Sequence, residues 1–233
     1  MRFLALLRKE LRESLPWLLL AGLLLLAVGI FFLRAHAQVS EADGWQYHRG
    51  LSPGQTIDKH RLLQNPNLNL PAIWLAFIAP GLGLVLGVRQ FWVPLFTRTW
   101  SFLLHRAAAR LTILGAKLTA TIIAFCISVG LVWTGLYWYA CRPDLFPIPE
   151  APQMLVNGWI YIALGLLVYL GTALSALSTA RWYTSRIFGL AFAMLVVFVT
   201  LAQWRPVSIA ALTVLAFVTL LSQTMAVFVR REF

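Results

Sequence analysis

Long apolar stretches are the feature that most constrains how this chain can fold. At a rise of 1.5 Å per residue, six of them are long enough to cross the roughly 30 Å hydrocarbon core of a bilayer as α-helices. They occupy residues 15–33, 70–88, 118–140, 159–180, 187–203 and 207–229, and no Asp, Glu, His, Lys or Arg lies within them. We therefore expect an all-α, polytopic membrane protein with six transmembrane helices.

The composition leaves little room for anything outside the membrane. Of the 233 residues, 60% are hydrophobic, so we expect residues 1–233 to form a single transmembrane domain without a separate soluble domain. The formal charge of +11 comes mostly from residues beside the apolar stretches, where basic side chains orient the chain and contact anionic lipid headgroups. This placement predicts membrane lipids as partners and no nucleic acid.

The distribution of basic residues predicts the orientation. With the N-terminus in the cytosol, 13 Lys and Arg residues fall on the cytosolic side and 6 on the other side. The positive-inside rule then favours both termini in the cytosol. Residues 35–37, with the sequence AHA, resemble a signal-peptidase site, and cleavage there would leave five spans. The apolar stretch before them is longer than a signal core and Arg34 disfavours cleavage, so we expect the first span to be retained.

The N-terminal segment, residues 1–14, has the pattern of an amphipathic helix. Leu4, Leu7, Leu11 and Leu15 recur at helical spacing and form an apolar face. The charged residues of the segment are Arg2, Arg8, Lys9, Glu10, Arg12 and Glu13, and we interpret those at positions 8–13 as charges on a surface helix. This predicts a helix lying on the inner membrane surface. The alternative is a simple basic flank that anchors the first span.

A second basic segment, residues 89–117, carries five basic and no acidic side chains. Beyond Pro94 it contains a short amphipathic run with two different faces. The apolar face consists of Phe96, Trp100, Leu103 and Leu104, and the polar face of Thr97, Arg98, Ser101 and His105. Such a helix can rest its aromatic side on the membrane domain and present its polar side to a cytosolic partner. A basic helix that only contacts lipid is the alternative.

Small residues and proline mark two of the spans. Pro80, Gly81 and Gly83 predict a bend or hinge in the second span, although membrane helices also tolerate such residues without bending. In the fourth span Gly171 and Ser175, four residues apart, begin a stripe suited to close helix contact. The stripe fits packing within one subunit and dimerisation equally well.

The sequence lacks its own source of free energy for transport. Ion-coupled carriers use carboxylates or broken-helix ion sites near the midplane, and no carboxylate lies in the predicted spans. The phosphate-binding pattern G-x-x-x-x-G-K-[ST] is also missing, since Gly81, Gly83 and Gly87 are not followed by the required Lys. Any ATPase must therefore be another polypeptide.

Chemistry by the chain alone is not expected either. His36, His48 and His60 recur every twelve residues, but this spacing does not place three imidazoles on one helix face, so we predict no metal site. Every His and Asp lies outside the predicted spans, which argues against an intramembrane protease. We expect no catalytic residues and no cofactor bound by this chain.

Residues 8–13 have the sequence RKELRE, which resembles the opening of the elbow helix in a known family, the membrane-spanning permease subunits of type 2 ABC exporters. Residues 99–104, TWSFLL, followed by Arg106, Arg110, Ile113 and Lys117, are similar to the family pattern T-x-x-x-L-L-x-x-P-x-S-R-x-x-I-x-x-x-K. The chain departs from this pattern at residues 107–109, where three alanines stand in place of the usual proline.

The resemblance implies a permease subunit of the bacterial inner membrane that works with a separate ABC-type ATPase subunit, which binds ATP and Mg²⁺, and with a second permease. Residues 98–106 would be the coupling helix that docks on the ATPase. The implied coupling residues are Arg98, Thr99, Trp100, Ser101, His105, Arg106 and Arg110. The uncharged spans favour export of an apolar or amphipathic substrate. The alternative is a non-transporting membrane scaffold or assembly subunit whose basic segment recruits a different cytosolic partner.

Overall fold

The computed structural model describes residues 2–50, 68–97, 110–142, 151–178, 183–202 and 206–230, and within these ranges the chain is almost entirely helical. The helices are α1 (Arg2–Gly50), α2 (Asn69–Gly87), α3 (Val93–Phe96), α4 (Arg110–Phe125), α5 (Leu131–Ala140), α6 (Pro152–Leu177), α7 (Tyr183–Ala202) and α8 (Pro206–Arg230). Two π-helical turns complete the set: π1 (Val88–Trp92) joins α2 to α3, and π2 (Cys126–Gly130) joins α4 to α5. The described residues contain no strand, which confirms the all-α class.

Five of the helical stretches are long and apolar enough to cross a membrane. They are Phe3–Ala35, Asn69–Phe96, Arg110–Ala140, Pro152–Leu177 and Ile209–Arg230. The predicted span 187–203 corresponds to a shorter apolar helix, Ile187–Ala202. The chain is thus an integral membrane protein, and the sixth crossing stays a prediction.

Helix α6 lies at the centre of the bundle and packs against α2 through backbone. A side chain on Gly165 would come within 2.6 Å of the carbonyl oxygen of Ala79, and Gly83 faces Gly165 from α2. Such contact between backbones requires small residues on both helices. Helix α2 continues through Pro80, and Gly81 borders open space. At Gly83 the glycine therefore serves close packing, while the predicted hinge stays a prediction.

The small-residue stripe of α6 packs against α7 of the same chain. A side chain on Gly171 would lie 2.6 Å from the carbonyl oxygen of Gly189, and the hydroxyl of Ser175 accepts a hydrogen bond of 2.9 Å from the backbone N–H of Leu190. Of the two explanations left open by the sequence, packing within one subunit accounts for these two positions.

Helix α1 differs from the prediction at its N-terminal end. It runs through Pro16 without interruption, so the segment expected to be a surface helix and the first span form one helix. Pro16 is tolerated because neighbouring groups in a membrane bundle can satisfy the backbone carbonyl that it leaves without a donor. The predicted apolar face is exposed at Leu4 and Leu15, whereas Glu10 and Ser14, on a neighbouring face, are buried.

Most hydroxyl groups of the described spans are satisfied by their own helices. Thr172, Thr213 and Thr224 each donate to the carbonyl oxygen four residues earlier, at 2.7 to 2.8 Å. This local bonding is expected where no water is present to compete. It makes the few polar groups that bond between helices the more informative ones.

Candidate functional site

Polar side chains from four elements meet at one end of the bundle. They are Glu10 of α1, Gln90 of π1, Lys117 and Thr121 of α4, and Tyr169 of α6, and all are buried. We call this set the polar cluster. Burying polar groups is unfavourable unless they are bonded to one another, so their meeting in an apolar bundle requires an explanation.

The charged half of the polar cluster is a buried ion pair. The Nζ atom of Lys117 donates to Oε1 of Glu10 at 2.7 Å, and it lies 5.8 Å from the centroid of the Phe91 ring. The hydroxyl of Ser14 donates to the backbone oxygen of Glu10 at 2.7 Å, one turn along α1. A pair of this kind fixes two helices relative to each other, since removing either partner leaves a buried charge.

The neutral half of the polar cluster is centred on the amide of Gln90. Its Oε1 accepts a hydrogen bond of 2.6 Å from the hydroxyl of Tyr169 and one of 3.4 Å from Thr121. Its Nε2 is buried and has no partner among the described residues. The π1 turn inserts an extra residue into the helix, and it brings both Gln90 and Phe91 into the interior. The Phe91 ring packs edge-on against Tyr169 at 5.9 Å.

Arg110 extends these connections to the last helix. Its Nη1 donates to the backbone oxygen of Val229 at 2.9 Å, so the first residue of α4 bonds a carbonyl in the last turn of α8. The last carbonyls of a helix have no partner within the helix, and basic side chains commonly satisfy them. Together with the ion pair, this bond brings the beginning of α1 and the end of α8 to the same end of the bundle.

The polar cluster encloses almost no empty space and connects helices. The cavity beside Thr121 and Tyr169 has a volume of about 10 Å³, too small for a substrate. The described residues contain no group of three or more His, Cys, Asp or Glu side chains that could hold a metal ion. The polar cluster instead links α1, π1, α4 and α6 by bonds that depend on their relative positions.

The residues predicted as functional fall into three groups. The proposed coupling stretch 98–106 lies outside the described residues, and it contains Arg98, Thr99, Trp100, Ser101, His105 and Arg106. Arg110 is described, and its side chain is bonded to α8. Arg8, Lys9 and Arg12 are exposed on α1, and their position at the membrane surface stays a prediction. Glu10 was predicted to be a surface charge, and this was wrong because its carboxylate is buried against Lys117.

Gln90, Thr121 and Tyr169 were not singled out from the sequence. A signal for part of the cluster was present, since Glu10 and Ser14 are four residues apart and therefore lie on one face of α1. Lys117 likewise directly precedes an apolar stretch and can reach its interior. Their pairing across 107 positions in the chain has no local signature.

Comparisons of the chain with models of known protein families, with curated proteins and with solved structures gave no significant match.

Proposed function

We propose that the chain is the membrane-spanning permease subunit of an ATP-driven exporter of the ABC type. It pairs with a second permease subunit and with cytosolic ATPase subunits in a bacterial inner membrane. In this arrangement six helices cross the membrane with both termini in the cytosol, and the first turns of α1 lie at the inner surface. The proposal begins from the resemblance of residues 8–13 and 99–117 to such permeases.

The observation that carries the proposal is the anchoring of the segment 98–109 on both sides. Before it, Gln90 accepts a hydrogen bond from Tyr169 of α6. After it, Arg110 donates to Val229 of α8 and Lys117 pairs with Glu10 of α1. A force on the segment therefore reaches three other helices through direct bonds, and a coupling element needs this property.

The mechanism follows from this connectivity. ATP and Mg²⁺ bound by the partner subunits supply the free energy, because the sequence has no phosphate-binding loop of its own. Closure of the ATPase subunits displaces residues 98–106, and the flanking bonds tilt α1 and α8 relative to α2 and α6 between two arrangements. An apolar or amphipathic substrate then moves along a pathway between the two permeases.

Co-purification of the full chain in a mild detergent tests the proposal. The wild-type chain should carry an ABC-type ATPase with it, identified by mass spectrometry. Arg98→Glu should leave membrane insertion intact and weaken the association, because it reverses a charge in the proposed contact. Arg142→Glu makes the same change at the other end of the α4 to α5 stretch and should have no effect.

The outcomes separate the proposal from its rival. Equal recovery of the ATPase with Arg98→Glu and with wild type would contradict the role of the segment. Recovery of a different cytosolic protein, with no ATPase of the ABC type, would favour a membrane scaffold or assembly subunit.

A further inference from the structure

We propose that a groove along α1 binds an anionic phospholipid from the membrane leaflet at the Glu10 end of the bundle. The groove has a volume of about 890 Å³ and lies between α1 and the surface formed by α4, π2 and α5. We call it the α1 groove. This inference does not depend on the presence of an ATPase.

The α1 side of this groove matches the two parts of an anionic phospholipid, a charged headgroup and an apolar acyl chain. Its central stripe consists of Arg8, Arg12, Leu15, Leu19, Gly22 and Leu26, at successive spacings of 4, 3, 4, 3 and 4 residues. These spacings place the six residues on one helix face. The stripe is therefore cationic at one end and apolar along the rest, as a headgroup and its acyl chain require.

The two arginines are available to an anion. Both are exposed, and the acidic residues nearest to them on α1 are already engaged. Glu10 is paired with Lys117 at 2.7 Å, and Glu13 lies 3.8 Å from Lys9. Within the described part of the chain no carboxylate is paired with Arg8 or Arg12. Guanidinium groups bind phosphate through two parallel hydrogen bonds, so a phosphodiester headgroup is a suitable ligand.

The apolar part of the groove has the length of one leaflet. From Leu15 to Leu26 the helix rises about 16 Å, and half of the hydrocarbon core is about 15 Å. Gly22 lets α1 lie against the backbone of Ser128 at the floor of the groove, and the small side chain of Ala124 leaves room above that floor for an acyl chain. The hydroxyl of Ser128 donates to the carbonyl oxygen of Ala124 at 2.8 Å, so it presents no free donor to the chain.

The positive charge of Arg8 and Arg12 also favours a lipid over a second copy of the protein as the occupant of the α1 groove. In a symmetric pair with its axis along the membrane normal, the same surface of each copy would face the other at the same depth. Arg8 and Arg12 of one copy would then lie near the same arginines of its partner, and like charges repel. A phosphate group provides the opposite charge.

Native mass spectrometry of the full chain, purified and delipidated in a neutral detergent, tests the site. Dioleoyl phosphatidylglycerol should be retained roughly thirtyfold more than dioleoyl phosphatidylcholine, from two basic side chains near the headgroup. The double variant Arg8→Gln, Arg12→Gln should lose this preference. The double variant Lys9→Gln, Arg230→Gln removes the same charge from residues that do not line the groove, and it should keep the preference.

The apolar part is tested by filling it. Leu19→Trp should reduce retention of phosphatidylglycerol although both arginines remain. Leu20→Trp, on an exposed neighbour outside the groove, should not. Glycerol phosphate, which carries the anionic group without acyl chains, should be retained far less than the lipid.

Several results would overturn the proposal. One is equal retention of phosphatidylglycerol and phosphatidylcholine, and another is retention of glycerol phosphate as strong as that of phosphatidylglycerol. The proposal would also fail if the two double variants retained phosphatidylglycerol equally, or if Leu19→Trp and Leu20→Trp did. Crosslinking between copies through Leu19→Cys, in a chain with Cys126→Ser and Cys141→Ser, would also overturn it by placing a second copy on the groove.

Discussion

The contact between α2 and α6 and the contact between α1 and α4 hold the bundle together in different ways. The first is made by backbones that touch where Gly83 and Gly165 leave no side chain between them. The second contains the ion pair of Glu10 with Lys117, borders the α1 groove, and continues to a close contact of Gly22 with the backbone of Ser128. In the most apolar 18-residue stretch of α6, 72% of the residues are buried, against 22% for α1.

The difference indicates which part of the bundle can move. Close packing along a whole interface resists change, because any displacement opens a void or produces a clash. Helix α1 also packs closely at points such as Gly22 and Gly29, but it has far fewer buried residues than α6, so it can shift more readily while its exposed face stays in contact with lipid. We therefore expect α2 and α6 to act as the rigid part of the chain and α1 as the part that responds to a partner.

The largest effect is expected from a side chain inserted between α2 and α6. Gly83→Leu should destabilise the chain by more than about 4 kcal/mol, because the helices would have to separate along their whole contact. The measurement is the recovery of monodisperse protein and its unfolding by denaturant in detergent. Gly81→Leu, two residues away on the same helix, points into open space and should leave both unchanged. Equal losses in the two variants would refute the distinction.

The next largest effect concerns the ion pair between α1 and α4. Lys117→Met should cost about 3 kcal/mol in unfolding free energy, since it leaves the Glu10 carboxylate buried without its partner. The double variant Glu10→Met, Lys117→Met should return to within about 1 kcal/mol of wild type, because no buried charge remains.

A matched control for this change is available on α1. Lys9→Met disrupts an exposed pair with Glu13 and should cost less than about 0.5 kcal/mol. If the double variant is as unstable as Lys117→Met, the loss arises from packing and not from an unpaired charge. The ion pair would then not be what fixes α1.

A smaller effect is expected where α6 is bonded to π1. Tyr169→Phe removes the hydrogen bond to Gln90 and leaves its buried amide with Thr121 as its remaining partner, at a cost of about 1 to 2 kcal/mol. Tyr161→Phe makes the same change on the same helix at a partly buried position and should be close to neutral. Denaturant unfolding of both variants compares them, and equal stability would show that the bond contributes little.

Much of the fold was accessible from the sequence because apolar length is a local property. The predicted spans 70–88 and 118–140 fall within described helices, and residues 159–177 of the predicted span 159–180 lie in α6, since about 20 apolar residues in a row leave the backbone few alternatives in a membrane. The position of Glu10 was not accessible in the same way. Its burial depends on Lys117, which lies far along the chain, and no periodicity within α1 reveals that partner.

In the polar cluster and at Arg110, too, local features were predictable from the sequence and contacts between distant residues were not. The basic segment around Arg110 was predicted from its composition, but its bond to Val229 depends on how α4 and α8 pack. Gln90 was missed because it lies at the edge of an apolar stretch, where a polar residue usually marks the helix end. In the structure the π1 turn carries it back into the interior.

The smallest effect should come from the bond between α4 and the end of α8. Arg110→Gln shortens the side chain that donates to Val229, and a single exposed hydrogen bond contributes only about 0.5 kcal/mol. Global unfolding should barely change, whereas amide hydrogen exchange in the last turn of α8 should become faster. Arg230→Gln alters the charge of the same turn without removing the donor, and it should leave that exchange rate unchanged. Faster exchange in α2 or α6 as well would mean that the contact between these two helices depends on the bond of Arg110 to Val229. Helices α2 and α6 would then not form a rigid pair that is independent of α8.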